Sequence, residues 1–206
     1  MKKKLFILPL VTLLAACNQQ GTSYKEVTKD EFNTKQGDAQ SALIDLNVDG
    51  VPYFNDVIMT GTVKAIDNVT KDEKVVQINA HYTYSVEEED WTNDITDQTV
   101  EAAASSYFYF VAGQEVYILD NTTFTENNVK FYIGEDGSFK IDGSYKGVSD
   151  MVGIKMDTDC PSMTHIYNKY ALATSIQSTS TAKVDVGTFK TEQTTIVDIR
   201  VQYSHK

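Results

Sequence analysis

Four oxygen-bearing side chains between residues 45 and 56 have a spacing that suits calcium. Asp45, Asn47 and Asp49 occupy the first, third and fifth places of a twelve-residue stretch, and Asp56 occupies the twelfth. Gly50 stands at the sixth place, where a loop around the ion must turn sharply. Carboxylate and amide oxygens are the ligands that calcium prefers. The stretch therefore predicts a calcium site, and calcium is the one candidate cofactor.

This stretch resembles EF-hand loops, and its aspartate at the twelfth place resembles the loops of dockerin modules. It departs from both at Pro52, which lies where such loops form a short backbone pairing. It departs again at residues 57–63, which favour a strand over an exiting helix. Asp, Asn and Gly also build turns without a metal. A helix end followed by an Asx-rich turn is the alternative interpretation.

Histidine and cysteine do not form a catalytic pattern in this sequence. His81, His165 and His205 are too scattered to supply two metal ligands by spacing. Cys160 and His165 are close enough in sequence to approach each other, but a thiol nucleophile also needs an orienting group and an oxyanion site. Neither can be identified, and there is no Gly-x-Ser-x-Gly elbow or phosphate loop. We therefore expect a protein that is not an enzyme.

Cys17 has the setting of a lipid-attachment site. Three consecutive lysines precede an apolar run that is too short to span a bilayer, and Leu14-Ala-Ala-Cys17 closes that run. The segment resembles the signal of bacterial lipoproteins. That resemblance implies removal of residues 1–16 as a signal peptide, lipidation and acylation at Cys17, and a membrane-anchored protein facing outside the cytoplasm. An ordinary secretory signal with a coincidental cysteine is the alternative.

The acidic composition narrows the choice of partners. The chain carries a formal net charge of -11, and removing residues 1–16, with three lysines and no acid, makes it -14. Such a surface repels nucleic acid and anionic lipid, so we expect no nucleic-acid partner and membrane contact through the anchor alone. Residues 17–23 are predicted to be the lipidated cysteine and a short tether. Residues 24–206 suit a single domain, which we expect to be monomeric.

Periodicity predicts a helix followed by a sheet. Thr28 and Glu31 form a capping box, and apolar residues then recur at helical spacing from Phe32 to Leu46. Apolar and polar residues alternate over residues 74–86, which predicts a strand with one solvent-exposed face. Residues 87–90 form an acidic loop, and residues 96–105 are compatible with a short helix. Later, residues 157–161 indicate a turn and residues 195–203 a strand.

The aromatic region after residue 106 is predicted to be an antiparallel meander. Its strands would be residues 107–111, 115–119, 129–133 and 139–141. Alternation places Tyr107 and Tyr109 on one face, which we expect to line a ligand cavity because a phenol tolerates a partly wet lining. Ordinary core on both faces is the alternative. The candidate ligand-binding residues are Tyr82, Tyr84, Tyr107, Tyr109, Tyr117 and Tyr132.

The order of these elements predicts an α+β fold. We expect a strongly curved antiparallel sheet, like a half-barrel, with an N-terminal helix and a short second helix on its concave face. Together with the lipid anchor and the opening residues 24–32, this arrangement resembles lipid-binding lipoproteins of the LolA/LolB and LppX/LprG type. That resemblance implies an interior that takes up acyl chains.

Three functional hypotheses follow. The first is a non-enzymatic module that binds a lipid or another hydrophobic ligand in the curved sheet. The second is a surface interaction or adhesion module with a filled core, and the third is calcium-dependent structure or adhesion through residues 45–56. An apolar cavity on the order of several hundred Å³ would favour the first over the second.

Overall fold

A computed structural model describes residues 22–151, 154–186 and 189–205. These ranges contain ten strands and three helices. In order they are β1 (Tyr24–Val27), α1 (Lys29–Ile44), β2 (Asp56–Asp67), β3 (Glu73–Ser85), β4 (Asp90–Asn93), α2 (Gln98–Ser105), α3 (Ala112–Asp120), β5 (Thr122–Asn127), β6 (Lys130–Gly134), β7 (Phe139–Met151), β8 (Ile154–Tyr167), β9 (Ala173–Val186) and β10 (Phe189–Ser204).

All ten strands belong to one antiparallel sheet. Its order is β1-β6-β7-β8-β9-β10-β2-β3-β4, and β5 pairs with β7. The sheet is open and curled, with the helices against its buried face, so the predicted α+β fold with a strongly curved antiparallel sheet is confirmed. Strand β10 lies between β9 and β2 and joins the two parts of the sheet. No helix in the described ranges is long and apolar enough to cross a membrane.

Helix α1 begins where the sequence predicts. Thr28 is its N-cap, and the Thr28 hydroxyl accepts a hydrogen bond of 3.1 Å from the Glu31 N–H, which satisfies one free donor of the first turn. Phe32 is fully buried and packs against Phe131 and Phe139, with ring centroids 5.1 and 5.5 Å away. The first turn of α1 is thereby anchored to the sheet. Strand β1, just before it, was not predicted.

Helix α2 and strand β3 also agree with the predictions. The Asp97 side chain caps α2 by accepting from the N–H groups of Thr99 and Val100. In β3, Ile78, Ala80 and Tyr82 are buried, as the alternating pattern requires. The core therefore lies between this face of the sheet and the helices.

The predicted meander is wrong in its first half. Residues 107–110 form a turn, and residues 115–119 lie in helix α3. The buried residues of α3 are Ala112, Glu115, Val116 and Leu119, which is the spacing of one helical face. A short apolar run fits a buried helix as well as a buried strand, so periodicity alone did not decide between them. The expected alternation of Tyr107 and Tyr109 against Phe108 and Phe110 is lost with the strand.

The turn predicted at residues 157–161 is also wrong. These residues continue β8, which pairs with β9 on one side and carries an irregularity in register between Asp159 and Ser162. A bulge leaves a residue out of the ladder, so the strand can continue through Pro161, which has no N–H to donate. Strand β10 covers the predicted residues 195–203 and is longer.

Candidate functional site

One cavity in the described structure is lined mainly by apolar and aromatic residues and has a volume of about 460 Å³. It lies between the C-terminal half of α1, the segment 47–54 and the turn at residues 107–110. We call it the aromatic pocket. Its lining consists of Gln40, Leu43, Ile44, Asn47, Pro52, Tyr53, Phe54, Trp91, Phe108, Tyr109, Val111 and Leu172.

Trp91 and Phe108 form one wall of the aromatic pocket. Their rings meet edge to face with centroids 5.0 Å apart, and Phe108 rests on the buried ring of Tyr82 at 4.2 Å. Trp91 comes from β4 at the edge of the sheet, whereas Phe108 comes from the turn after α2. Aromatic packing of this kind holds large rings in fixed orientations, so the wall is preformed.

Tyr109 holds the turn in an unusual backbone conformation. Its φ angle is +52°, which is uncommon for a residue with a side chain. The Tyr109 hydroxyl donates a hydrogen bond to the backbone carbonyl of Phe54, and this bond ties the turn to the segment 47–54. Burial raises the pKa of Tyr109, so the phenol remains a donor at neutral pH. Backbone strain of this kind concentrates at ligand sites.

The mouth of the aromatic pocket is apolar. Ile44 lines the pocket yet is 67% exposed, and Leu46 and Val48, on either side of the lining residue Asn47, are exposed as well. Gln40 also lines the pocket, and its amide nitrogen is buried without a hydrogen-bond partner among the described residues. A buried donor without a partner is costly, so this group is suited to a ligand oxygen or a water molecule.

The six predicted ligand-binding tyrosines do not lie together. Tyr109 lines the aromatic pocket, and Tyr82 and Tyr84 pack behind it against Phe108 and Trp91. Tyr107 lines a different cavity. The remaining two lie elsewhere. Tyr117 is 55% exposed on α3, and Tyr132 of β6 lies under the Lys140 ammonium, 4.3 Å from its ring centre.

Sequence reasoning missed Trp91, Phe108 and Leu172 as lining residues. Trp91 is the only tryptophan of the chain and follows an acidic run. A single large ring in a polar setting was the one sequence feature that could have indicated a binding residue here. The other two could not be found from the sequence, because the fold brings them to the pocket from distant segments.

The predicted calcium ligands occupy separate environments. The Asn47 side-chain oxygen accepts a 2.8 Å hydrogen bond from the Tyr53 N–H, and Asp49 and Gly50 form a tight turn with positive φ. Asp56 opens β2, is 3% exposed, and contacts His81 Nε2 at 2.6 Å and Ser204 Oγ at 2.8 Å. Asp45 directly follows α1. No group of three His, Cys, Asp or Glu side chains in the described ranges has metal-site geometry, and calcium binding stays a prediction.

Only one of the two cysteines lies within the described residues. Cys17 lies outside the described residues. Burial raises the pKa of the Cys160 thiol to about 12, and its sulfur lies 3.6 Å from the Ser162 carbonyl, which it contacts as a donor. The Cys160 thiol is therefore protonated at neutral pH and is a poor nucleophile.

Comparison of the chain with protein-family models, with curated proteins and with solved structures finds no significant match. The resemblances drawn from the sequence therefore remain predictions.

Proposed function

We propose that this protein is a lipid-anchored, extracytoplasmic binding protein without enzymatic activity, and that the aromatic pocket holds the apolar part of its ligand. An acyl chain is the ligand class that the pocket suits best. The anchor is the lipidated Cys17 expected from the sequence, and the ligand site is the pocket below the C-terminal half of α1.

The observation that carries this proposal is the size and lining of the aromatic pocket. A volume of about 460 Å³ falls within the range of small-molecule sites, and ten of its twelve lining residues are apolar or aromatic. Each buried methylene of a ligand would contribute about 0.8 kcal/mol. Among these lining residues there is no lysine or arginine, so the buried part of the ligand should carry no anionic group.

Gln40 adds one polar requirement. Gln40 lines the pocket, and its unpartnered amide nitrogen can donate to a carbonyl oxygen of the ligand once the side chain turns toward the pocket. An ester or amide of a fatty acid offers such an oxygen next to its chain. The uncharged acyl group of a lipid therefore fits better than a free fatty-acid carboxylate.

The alternative is an interaction module that binds another protein through the pocket mouth. The exposed Ile44, Leu46 and Val48 favour this second candidate, since apolar residues clustered on an acidic surface often mark an interface. Calcium at residues 45–56 would strengthen this role by ordering the same segment.

Trp91 provides a direct test, because it is the only tryptophan and lines the aromatic pocket. The purified protein would be titrated with a short-chain fatty-acid ester and the Trp91 emission recorded. We expect a saturable blue shift, since the ligand removes water from the indole. Ile44→Glu should weaken binding about fivefold or more, because it places a charge beside the chain.

Val69→Glu is the matched control. Val69 is 73% exposed in the turn between β2 and β3, so this change adds the same charge away from the pocket. It should leave the titration unchanged. Absence of saturation in the wild-type protein, or equal effects of the two substitutions, would reject the acyl-binding proposal and favour the interaction module.

A further inference from the structure

A second cavity, of about 210 Å³, lies on the other side of the turn at residues 107–110. It is enclosed by this turn, by α3 and by β7, β8 and β9. We call it the polar cavity, because Glu115, His165 and Ser178 are among its lining residues. Phe108 and Tyr109 line the aromatic pocket while Tyr107 and Phe110 line the polar cavity, so the turn separates the two spaces.

Glu115 is an unusual residue for the buried face of a helix. It is the fourth residue of α3 and only 7% exposed, in line with Ala112 and Leu119. Tyr107 and Cys160 line the same cavity, and the pKa of each is raised. Burial is the larger cause, and the negative charge of Glu115 is the second. Both groups stay protonated at neutral pH. The Glu115 carboxylate therefore determines the electrostatic character of the polar cavity.

His165 of β8 is the partner of Glu115, and it is incompletely satisfied. It is 6% exposed, and its Nδ1 lies 3.4 Å from the Glu115 carboxylate, within ion-pair range but too poorly aligned for a hydrogen bond. Neither ring nitrogen has a hydrogen-bond partner within the described part of the chain. Buried imidazole nitrogens rarely lack partners, and His165 also lines the polar cavity, so a polar group bound there is a candidate partner once the ring turns toward it.

The remaining lining restricts the charge of that group. None of the eleven lining residues is lysine or arginine, whereas Tyr107, Phe110 and Tyr145 contribute aromatic rings. The rings of Tyr107 and Phe110 are 6.5 Å apart between centroids. A carboxylate and aromatic faces attract a cation and disfavour an anion.

We propose that the polar cavity binds the primary ammonium group of an alkylamine or of an aminoalkyl head group. An ammonium has three N–H donors. The Glu115 carboxylate, the His165 ring and the Ser178 hydroxyl line the cavity as candidate acceptors, together with the aromatic rings of Tyr107 and Phe110. Because this cavity is separate from the aromatic pocket, the assignment does not depend on the proposed function.

Histidine NMR of the purified protein tests this assignment. The chain has three histidines, so ring signals of labelled protein are few, and His165 can be followed during titration with hexylammonium. We expect a saturable shift of the His165 signal at neutral pH. 1-Hexanol and hexanoate have the same chain length, and both should bind about tenfold more weakly or not at all, because they lack the charge-assisted bond.

Glu115→Gln provides the second test. This change keeps the shape of the side chain and removes its charge, and the affinity for hexylammonium should fall about tenfold or more. Glu101→Gln is the matched control, since Glu101 is likewise the fourth residue of its helix, α2, but is exposed. It removes the same charge at the same helix position and should leave the affinity unchanged.

The outcomes separate this proposal from others. Equal binding of hexanol and hexylammonium by the wild-type protein would overturn it, as would full affinity in a folded Glu115→Gln variant. If that variant does not fold, the wild-type comparison still decides. Vesicles containing phosphatidylethanolamine, compared with vesicles of phosphatidylglycerol, would show whether a lipid head group or only a free amine can enter. The Trp91 titration reports on the aromatic pocket alone, so failure of one proposal leaves the other testable.

Discussion

Several tyrosines hold their phenols inside the fold, where ionisation would destabilise the protein. Burial raises the pKa of Tyr82, Tyr107, Tyr109, Tyr145, Tyr167 and Tyr203. Tyr167 is fully buried, and its hydroxyl has no hydrogen-bond partner among the described residues. A phenolate in that position would be a buried charge without compensation, so the folded chain holds the proton.

These raised pKa values predict alkaline instability. The unfolded chain releases phenolic protons near pH 10, while the folded chain retains them to higher pH. Above about pH 10 the unfolded state therefore binds fewer protons, and the free energy of unfolding should fall as the pH rises. Below that pH the stabilisation is fully present. Denaturant unfolding monitored at about pH 8 and about pH 11 would measure the difference.

Tyr167→Phe is the informative variant for this effect. It removes a titrating group that has no hydrogen-bond partner in the described structure, so it should reduce the alkaline loss without lowering stability at neutral pH. Absorbance titration should show some tyrosinates forming only together with unfolding. Ionisation of all twelve tyrosines near pH 10 in a protein that stays folded would contradict the argument.

At the scale of elements, the contact between β2 and β10 depends on one glycine. Gly61 pairs with Ile199, has a φ angle of +147°, and an added Cβ would lie 2.1 Å from the Asp198 carbonyl oxygen. Gly61→Ala should therefore destabilise the protein by more than about 1 kcal/mol, because the backbone of β10 would have to move. Thermal or denaturant unfolding would measure this loss.

Gly37 is the matched control for Gly61. It lies inside α1, and an added Cβ would meet no atom within 4 Å. Gly37→Ala should stabilise the protein by about 0.5 to 1 kcal/mol, since alanine favours the helix. Opposite signs for the same substitution would confirm that the setting of Gly61, its close approach to β10 together with its positive φ, is the cause. Equal effects would show that it is not.

The elements that the sequence predicted well are those with local determinants. Thr28 caps α1 by accepting from the N–H of Glu31, three residues later. Strand β3 alternates over enough residues to distinguish its two faces. The prediction for residues 107–120 was wrong because their apolar run lacks such a determinant. The helical spacing of Ala112, Glu115, Val116 and Leu119 was visible, but a glutamate at a buried position concealed it.

The candidate sites were less predictable than the elements. The aromatic pocket combines Leu43, Trp91, Phe108 and Leu172, which only the packing of the helices on the sheet brings together. The polar cavity joins Glu115 to His165, fifty positions later in the sequence, for the same reason. A single sequence holds no spacing signal for such contacts.

At the scale of the whole molecule, one prediction concerns its location. Cys17→Ala removes the sulfur expected to carry the lipid while leaving the apolar signal intact. The variant should be exported yet released from membranes, as measured by fractionation and by labelling with a radioactive fatty acid. Cys160→Ala removes the other thiol, which is buried in the core, and should leave membrane retention unchanged. Membrane-bound, labelled Cys17→Ala protein would reject the anchor.

The position of β10 in the middle of the sheet also has a consequence for the order of folding. Strand β2 is joined to β9 only through β10, and Ser204 bonds Asp56 across a sequence separation of 148 residues. Contacts of such long range form slowly, because a large loop must close first. Until residues 189–204 insert, β2 and β9 each present a long strand with unpaired backbone groups, and a second molecule can pair with them in place of β10. The interval before this strand arrives is thus the stage at which aggregation competes with folding.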